Sequence, residues 1–292
     1  MQKTVLITGC STGLGNTAAR KFANEGWNVI ATMRRPDNSL EKEYPGRIKV
    51  LCLDVTKSET ICSSIHEGIK HFGKIDTVVN NAGYGFGAVF EATPMEDIRA
   101  IFETNVFGII NVLREIIPYF RSQGGGTIVN VSSSIGIVAA PLRAAYASTK
   151  FAVEGLTESL FYELESQNIL IRLVEPGFMT TTNFMTSPAA KHADNDIPVP
   201  ESYRQYHDLF MTVQDAPPSG VADVNKVAEQ IYLAACDRSD KLRYPAGQDA
   251  ELLIGIRWSN PDTEYMAQMC NFMGQSNWRK FALKDEDIRT ER

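Results

Sequence analysis

The chain has 292 residues, 43% hydrophobic and 22% charged, with 29 basic against 35 acidic side chains and a formal net charge of -6. This length supports one large domain or two small ones, and an acidic balance without a Lys/Arg block argues against a nucleic-acid surface. Five cysteines (Cys10, Cys52, Cys62, Cys236, Cys270) lack a CxxC pair, and the 4 histidines are equally dispersed, which argues against a metal site or a disulfide framework.

The opening MQKTVLITG runs directly into an apolar strand pattern without a charged leader region. No apolar run approaches the roughly 20 residues of a membrane span, so the expectation is a reduced, cytoplasmic protein with no membrane partner. Strand-like runs follow at Thr4–Ile7, Trp27–Thr32, Ile48–Leu53, Thr77–Val79, Thr127–Val131 and Ile169–Val174. Helix-like segments lie between them at Leu14–Glu25, Glu59–Phe72, Met95–Arg121 and Ala144–Ser166. Such alternation predicts a parallel sheet covered by helices on both faces. Residues 178–220 read as an irregular insertion rich in Thr, Pro, Asp and Ser, with aromatic and Met residues interspersed. An insertion of that length in a compact domain is more often functional than idle. A helix-like run at Val224–Asp237, a short run around Leu242–Tyr244 and a partly helical tail over 251–292 complete the chain.

The first strand ends in TGCSTGLG, Thr8 to Gly15. A glycine-rich turn from a strand into a helix brings backbone N–H groups and the positive helix end to a phosphate. The turn residues Gly9, Ser11, Thr12, Gly13, Leu14 and Gly15 are therefore candidate cofactor contacts. The second strand ends in IATMRRP, with Met33 where a ribose-binding acid stands in NAD sites, followed by Arg34 and Arg35. Guanidinium forks suit a ribose phosphate, so NADP(H) is favoured over NAD(H).

The stretch AAYASTK places Tyr146 and Lys150 one helical turn apart. An ammonium beside a phenol favours the phenolate, so this spacing predicts a Tyr146 pKa lowered by Lys150, a route to an acid/base group near neutral pH.

With TGCSTGLG, the NNAG at Asn80–Gly83, Asn105, the serine run 132–134, Tyr146-x-x-x-Lys150 and the Pro176–Gly177 pair in this order, the chain resembles the short-chain dehydrogenase/reductase family. The wording of LITGCSTGLG, ATMR and YPAG is most similar to 17β-hydroxysteroid and retinol dehydrogenase-like members and ketoreductases. The resemblance implies an α/β fold, a Rossmann-type doubly wound parallel sheet of roughly seven strands in a single domain. It implies a catalytic domain over 1–250, with 178–220 as substrate loop, and a C-terminal extension over 251–292 packed on it. The implied catalytic group is Asn105, Ser133, Tyr146 and Lys150. Ser133 is chosen among the three serines because the family spacing puts it thirteen residues before the tyrosine.

Further cofactor contacts implied by the resemblance are Asp54 and Val55 near the adenine, and Asn81, Ala82 and Gly83 beside the nicotinamide-proximal ribose. Lys150 is implied on that ribose too, with Tyr146 at the reacting end, Pro176 and Gly177 after the sixth strand, and Thr181, flanked by Thr180 and Thr182, on the carboxamide. In this family Tyr146 exchanges a proton with the substrate oxygen, Ser133 holds that oxygen, and Asn105 positions a relaying water. No sequence feature names the substrate, but the apolar candidates Phe86 and Phe178, beside Ser133 and Tyr146, suit a small hydrophobic ketone, aldehyde or alcohol. Family members commonly form homodimers or homotetramers through the helices corresponding to 95–121 and 144–166. The alternative is a catalytically silent NADP(H)-binding sensor or scaffold on the same fold.

Overall fold

The computed structural model describes residues 2–179, 184, 197–215 and 220–275. Its strands are β1 (Thr4–Ile7), β2 (Asn28–Met33), β3 (Ile48–Cys52), β4 (Thr77–Asn80), β5 (Gly126–Val131), β6 (Ile169–Pro176) and β7 (Arg243–Ala246). They form one 7-stranded sheet in the order β3-β2-β1-β4-β5-β6-β7, parallel at every pairing. The helices are α1 (Gly13–Asn24), α2 (Ser39–Glu43), α3 (Ser58–Phe72), α4 (Met95–Phe102), α5 (Gly108–Ser122), α6 (Ala144–Glu165), α7 (Glu201–Asp215), α8 (Val224–Cys236), α9 (Gln248–Ser259) and α10 (Asp262–Phe272).

Alternation along the strands builds two cores. Val5 and Ile7 of β1 enter the layer with Ala18 and Phe22 of α1 and Val227 and Ile231 of α8. Leu6, between them, points the other way and packs with Ile61 and Ile65 of α3, Val112 and Ile116 of α5 and Val153 of α6. Because both faces are covered, β1 reads as an unbroken apolar run rather than an alternating one. Each fully buried Leu or Ile stabilises the fold by roughly 1.5–3 kcal/mol. β1 lies between β2 and β4, so the chain reverses its direction of travel across the sheet there. A crevice opens beyond the carboxyl ends of the strands at such a switch point.

Two expectations are corrected. The segment 95–121 is not one helix: α4 and α5 are separated by a π-helical turn, Glu103–Phe107, that contains Asn105. The Asn105 amide bonds across to the Tyr84 backbone in both directions, Nδ2 donating to Tyr84 O at 2.8 Å and Oδ1 accepting from Tyr84 N at 3.1 Å. A one-turn widening of this kind re-aims a side chain inside an otherwise regular helix. The segment 178–220 is also not irregular throughout, since α7 occupies Glu201–Asp215. It begins directly after Pro200, and no Gly or Pro interrupts it. At the carboxyl end, α9 and α10 bring Leu253, Ile254, Tyr265 and Met269 onto Ile137 and Val138, just after β5. No helix among the described residues is long and apolar enough to cross a membrane.

Candidate active site

The glycine turn sits at the switch point. Gly9 (φ 76°) and Gly13 (φ 58°) both occupy the left-handed region, which a side chain disfavours. A Cβ at Gly15 would stand 2.3 Å from Gly9 O and 2.5 Å from Asn81 Nδ2, so α1 and the turn meet with no room for one. Asn81 Nδ2 donates to Thr8 O at 2.9 Å, and Thr8 Oγ1 accepts from Asn81 N and Ala82 N, each at 3.0 Å. These bonds lock the turn to the end of β4. Thr12, the residue before α1, makes no side-chain cap. The first-turn N–H groups of α1 are thus available to an external acceptor, at the positive end of the helix. Such a cradle fits the pyrophosphate of a dinucleotide.

One cleft of about 420 Å³ runs from this turn across the carboxyl edge of the sheet. Of the predicted cofactor residues, Gly9, Ser11, Thr12, Gly13, Leu14, Gly15, Arg34, Asp54, Val55, Asn81, Ala82, Gly83, Tyr146, Lys150, Pro176 and Gly177 line it. The exposed Arg35 does not, so the two arginines are separated in position. Thr181, with Thr180 and Thr182, lies outside the described residues. Asp54 is held in place by Thr56, whose N and Oγ1 donate to Oδ1 at 3.0 and 2.8 Å.

At the far end, Ser133 follows β5 and Tyr146 opens α6; both line the cleft, and the Ser133 side chain acts on the phenol against its burial. Ile135 N donates to Ser133 Oγ at 3.2 Å, which fixes that side chain. The ring of Tyr146 meets Phe184 edge to face, with centroids 5.6 Å apart. Lys150 Nζ donates to Val131 O at 2.9 Å and lies 5.9 Å from the centroid of the Tyr146 ring.

The net shift at Tyr146 runs opposite to the expected lowering. Burial pushes the phenol up to about 12, against weaker opposing effects of Ser133 and Arg143. Burial also brings the Lys150 ammonium down to about 8, against the attraction of Glu154. Desolvation dominates at each group because both side chains are buried, and the ammonium is turned to a carbonyl.

Asn105 is buried in its π turn, and its Nδ2 also donates to Thr149 Oγ1 at 3.2 Å. It supports the wall of the cleft from behind rather than lining it. Phe178 lines the cleft, but Phe86 does not: it is buried against Ile101, Ala145, Tyr146 and Ile197. The apolar wall near Tyr146 instead comes from Phe178, Met179, Phe184, Leu253, Phe272 and Met273. The last three belong to or follow α9 and α10, and no sequence motif marked them. Asp249 was missed too; it lines the cleft, and Phe178 N donates to its Oδ2 at 2.5 Å.

Beneath Lys150 lies a cluster that the sequence did not announce. Glu154 and Glu175 are buried side by side with Arg243, whose Nε stands 3.2 Å from Glu154 Oε2 and 3.4 Å from Glu175 Oε1. Burial, with Glu154 nearby, pushes Glu175 up to about 8. Since this folded-state value exceeds the ordinary one, the contribution to stability is full below about pH 4.5 and is lost as pH rises through 8. Glu175→Gln is expected to remove that loss. Urea midpoints of variant and wild type should diverge in the variant's favour between about pH 4.5 and 8, at up to about 1.4 kcal/mol per unit of pH, and run parallel above that. Parallel pH profiles between those values would rule out a protonated acid at this position.

A parallel sheet of seven strands with a glycine turn at its switch point defines a Rossmann-like nucleotide-binding fold. A family model described as short chain dehydrogenase matches residues 3–192. An oxidoreductase of Schizosaccharomyces pombe is 38% identical over 243 residues, which cover 83% of this chain and 100% of the relative. A short-chain dehydrogenase from Streptomyces avermitilis superposes with a TM-score of 0.72 at 30% identity, covering 97% of this chain and 98% of that one. ElxO with NADP bound superposes with a TM-score of 0.69 at 28% identity, covering 84% and 98%. The chain belongs to the short-chain dehydrogenase family and is an oxidoreductase of alcohol and carbonyl groups.

Proposed function

We propose that the protein is an NADP(H)-dependent carbonyl reductase or alcohol dehydrogenase that interconverts a hydrophobic ketone or aldehyde with its alcohol, with Tyr146 as general acid/base. The observation that carries this reading is that Ser133, Tyr146 and Lys150 line the same cleft as the glycine turn and the apolar wall.

When bound, the nicotinamide supplies the hydride chemistry that no side chain can supply. Gly9, Ser11, Thr12, Gly13, Leu14 and Gly15 would hold the pyrophosphate, Arg34 the ribose phosphate, and Asp54 and Val55 the adenine end. Asn81, Ala82, Gly83, Lys150, Pro176 and Gly177 would hold the other half, with Thr181 assigned from the motif alone. During reduction, negative charge develops on the substrate oxygen. Ser133 donates a hydrogen bond to that oxygen, and Tyr146 gives it the phenolic proton. A phenol held neutral up to about 12 is a proton donor throughout the neutral range, the state that the reducing direction needs. The Lys150 ammonium, charged below about pH 8, stabilises the phenolate that remains. Asn105 keeps the Tyr84 backbone beside this group. The apolar wall from Phe178 to Met273 receives the rest of the substrate. Exposed Phe151 and Tyr162 on α6 offer the homo-oligomer contact expected of this helix.

The test is reduced-nicotinamide absorbance with NADPH or NADH and a panel of hydrophobic ketones and aldehydes. NADPH oxidation is expected, and Arg34→Asp should lower the NADPH/NADH ratio of kcat/KM at least about tenfold, as one phosphate contact is replaced by repulsion. A wild-type preference for NADH would overturn the cofactor assignment. Tight NADPH binding without turnover across the panel would favour the sensor reading instead.

A further inference from the structure

The face of α6 that carries Tyr146 and Lys150 continues, at the same four-residue spacing, through Glu154 and Glu158. Tyr146, Lys150 and Glu154 are buried, whereas Glu158 is half exposed, so a line of ionisable groups runs from the cleft to solvent. Arg243 of β7 closes its outer end, with Nε 3.2 Å from Glu154 Oε2 and Nη2 2.5 Å from Glu158 Oε2. A Cβ built on Gly136 would stand 3.1 Å from Glu154 Cγ and 3.2 Å from Lys150 O, so the serine turn packs directly over this stretch of helix. Gly136 therefore leaves room for the glutamate to lie flat behind the lysine.

We propose that Glu154 is a positioning residue for the Tyr146–Lys150 pair: its carboxylate, clamped by Arg243, sets a negative charge one helical turn behind Lys150 and keeps the buried ammonium charged. This rests on the proposed roles of Tyr146 and Lys150.

The charges facing this group come from several elements. On α6 itself they are Lys150, Glu154 and Glu158, with Arg143 just before the helix acting on Tyr146. β6 supplies Glu175 and β7 supplies Arg243, and Lys241 before β7 acts on Glu175. β5 and the serine turn supply only uncharged groups, the Val131 carbonyl and the hydroxyls of Ser132 and Ser133. The π turn supplies the Asn105 amide, and its Glu103 faces solvent.

Two adjacent buried carboxyls cannot both ionise cheaply, so the pair shares one proton near neutral pH. Burial raises the Glu154 carboxyl as well, but Arg243 on one side and Lys150 on the other oppose that shift, so the negative charge belongs on Glu154. Glu175 has no hydrogen bond to either oxygen and takes the proton. Without that charge, Lys150 loses its proton at lower pH and the phenolate left by reduction has no counter-charge.

The test compares wild type with Glu154→Gln. Protein carrying isotope-labelled lysine reports the Lys150 titration by NMR without any substrate, and the pH profile of kcat/KM for carbonyl reduction reports its consequence. In Glu154→Gln the Lys150 midpoint is expected to fall by about one pH unit or more, a tenfold change in proton affinity, and the alkaline limb should move with it. Glu158→Gln, at the exposed end, should leave both in place. A Glu154→Gln protein with an unmoved Lys150 midpoint overturns the proposal. Should Glu154→Gln fail to fold, Arg243→Gln reads the same coupling: loss of the clamp protonates Glu154 and lowers the Lys150 midpoint, and an unchanged midpoint overturns the proposal. If wild type shows no turnover but its Lys150 midpoint responds to Glu154→Gln, the functional reading fails and this one stands.

Discussion

Tyr146→Phe is expected to lower kcat/KM for carbonyl reduction by about 10³-fold, roughly 4 kcal/mol of transition-state stabilisation, while NADPH binding is retained. The size follows from what the phenol does in the proposed site: it is the proton donor to an oxygen that gains charge in the transition state. The substitution keeps the ring that packs edge to face on Phe184, so the cleft keeps its shape. Cofactor affinity within about twofold of wild type, beside the loss of turnover, would separate chemistry from binding. Turnover that survives in the variant would remove Tyr146 from the mechanism. The wild-type reduction profile should also be flat below about pH 8 and fall above it, because there Lys150 loses its ammonium while Tyr146 is still protonated.

Gly15→Ala is expected to damage stability and cofactor binding together. Its Cβ would stand 2.3 Å from the carbonyl oxygen of Gly9 and 2.5 Å from Asn81 Nδ2. Neither group can yield easily: one is backbone, and the other is tied to Thr8 O at 2.9 Å. Moving α1 away from the turn relieves the overlap and also withdraws the helix N-terminus from the phosphate. Overpacking of this kind costs about 1–3 kcal/mol, so Tm should drop by roughly 5 °C, and NADPH should bind at least about tenfold more weakly. Gly155→Ala is the control: that glycine lies on the exposed side of α6 with nothing near its Cβ position. It should leave NADPH binding unchanged and raise Tm slightly, by up to about 1 kcal/mol of helix propensity. A Gly15→Ala protein that melts and binds NADPH like wild type would show that α1 and the turn do not need this close approach.

The parallel sheet, the glycine turn and the order of the motifs are legible in the chain alone. Buried parallel strands are unbroken apolar runs, and a turn that approaches backbone this closely must be glycine, so both features are local and visible in the chain. Tyr146 and Lys150 were legible for the same reason, since a spacing of four residues fixes their shared helix face. Where the chain needed distant partners, the reading stopped. The break at Asn105 depends on the Tyr84 backbone, twenty-one residues earlier, and turned an expected single helix into two. Phe86 and Phe178 looked alike as apolar residues, but only Phe178 reaches the cleft. Asp249 and the wall of Leu253, Phe272 and Met273 arrive from the last described helices and carry no motif. The sign of the shift at Tyr146 was beyond the sequence altogether. A spacing shows that an ammonium lies near a phenol; their burial comes from packing between distant segments, and burial works against charge on each. The same holds for Glu154, Glu175 and Arg243, eighty-nine residues apart at the extremes, which become one charge cluster because β6, β7 and α6 pack together.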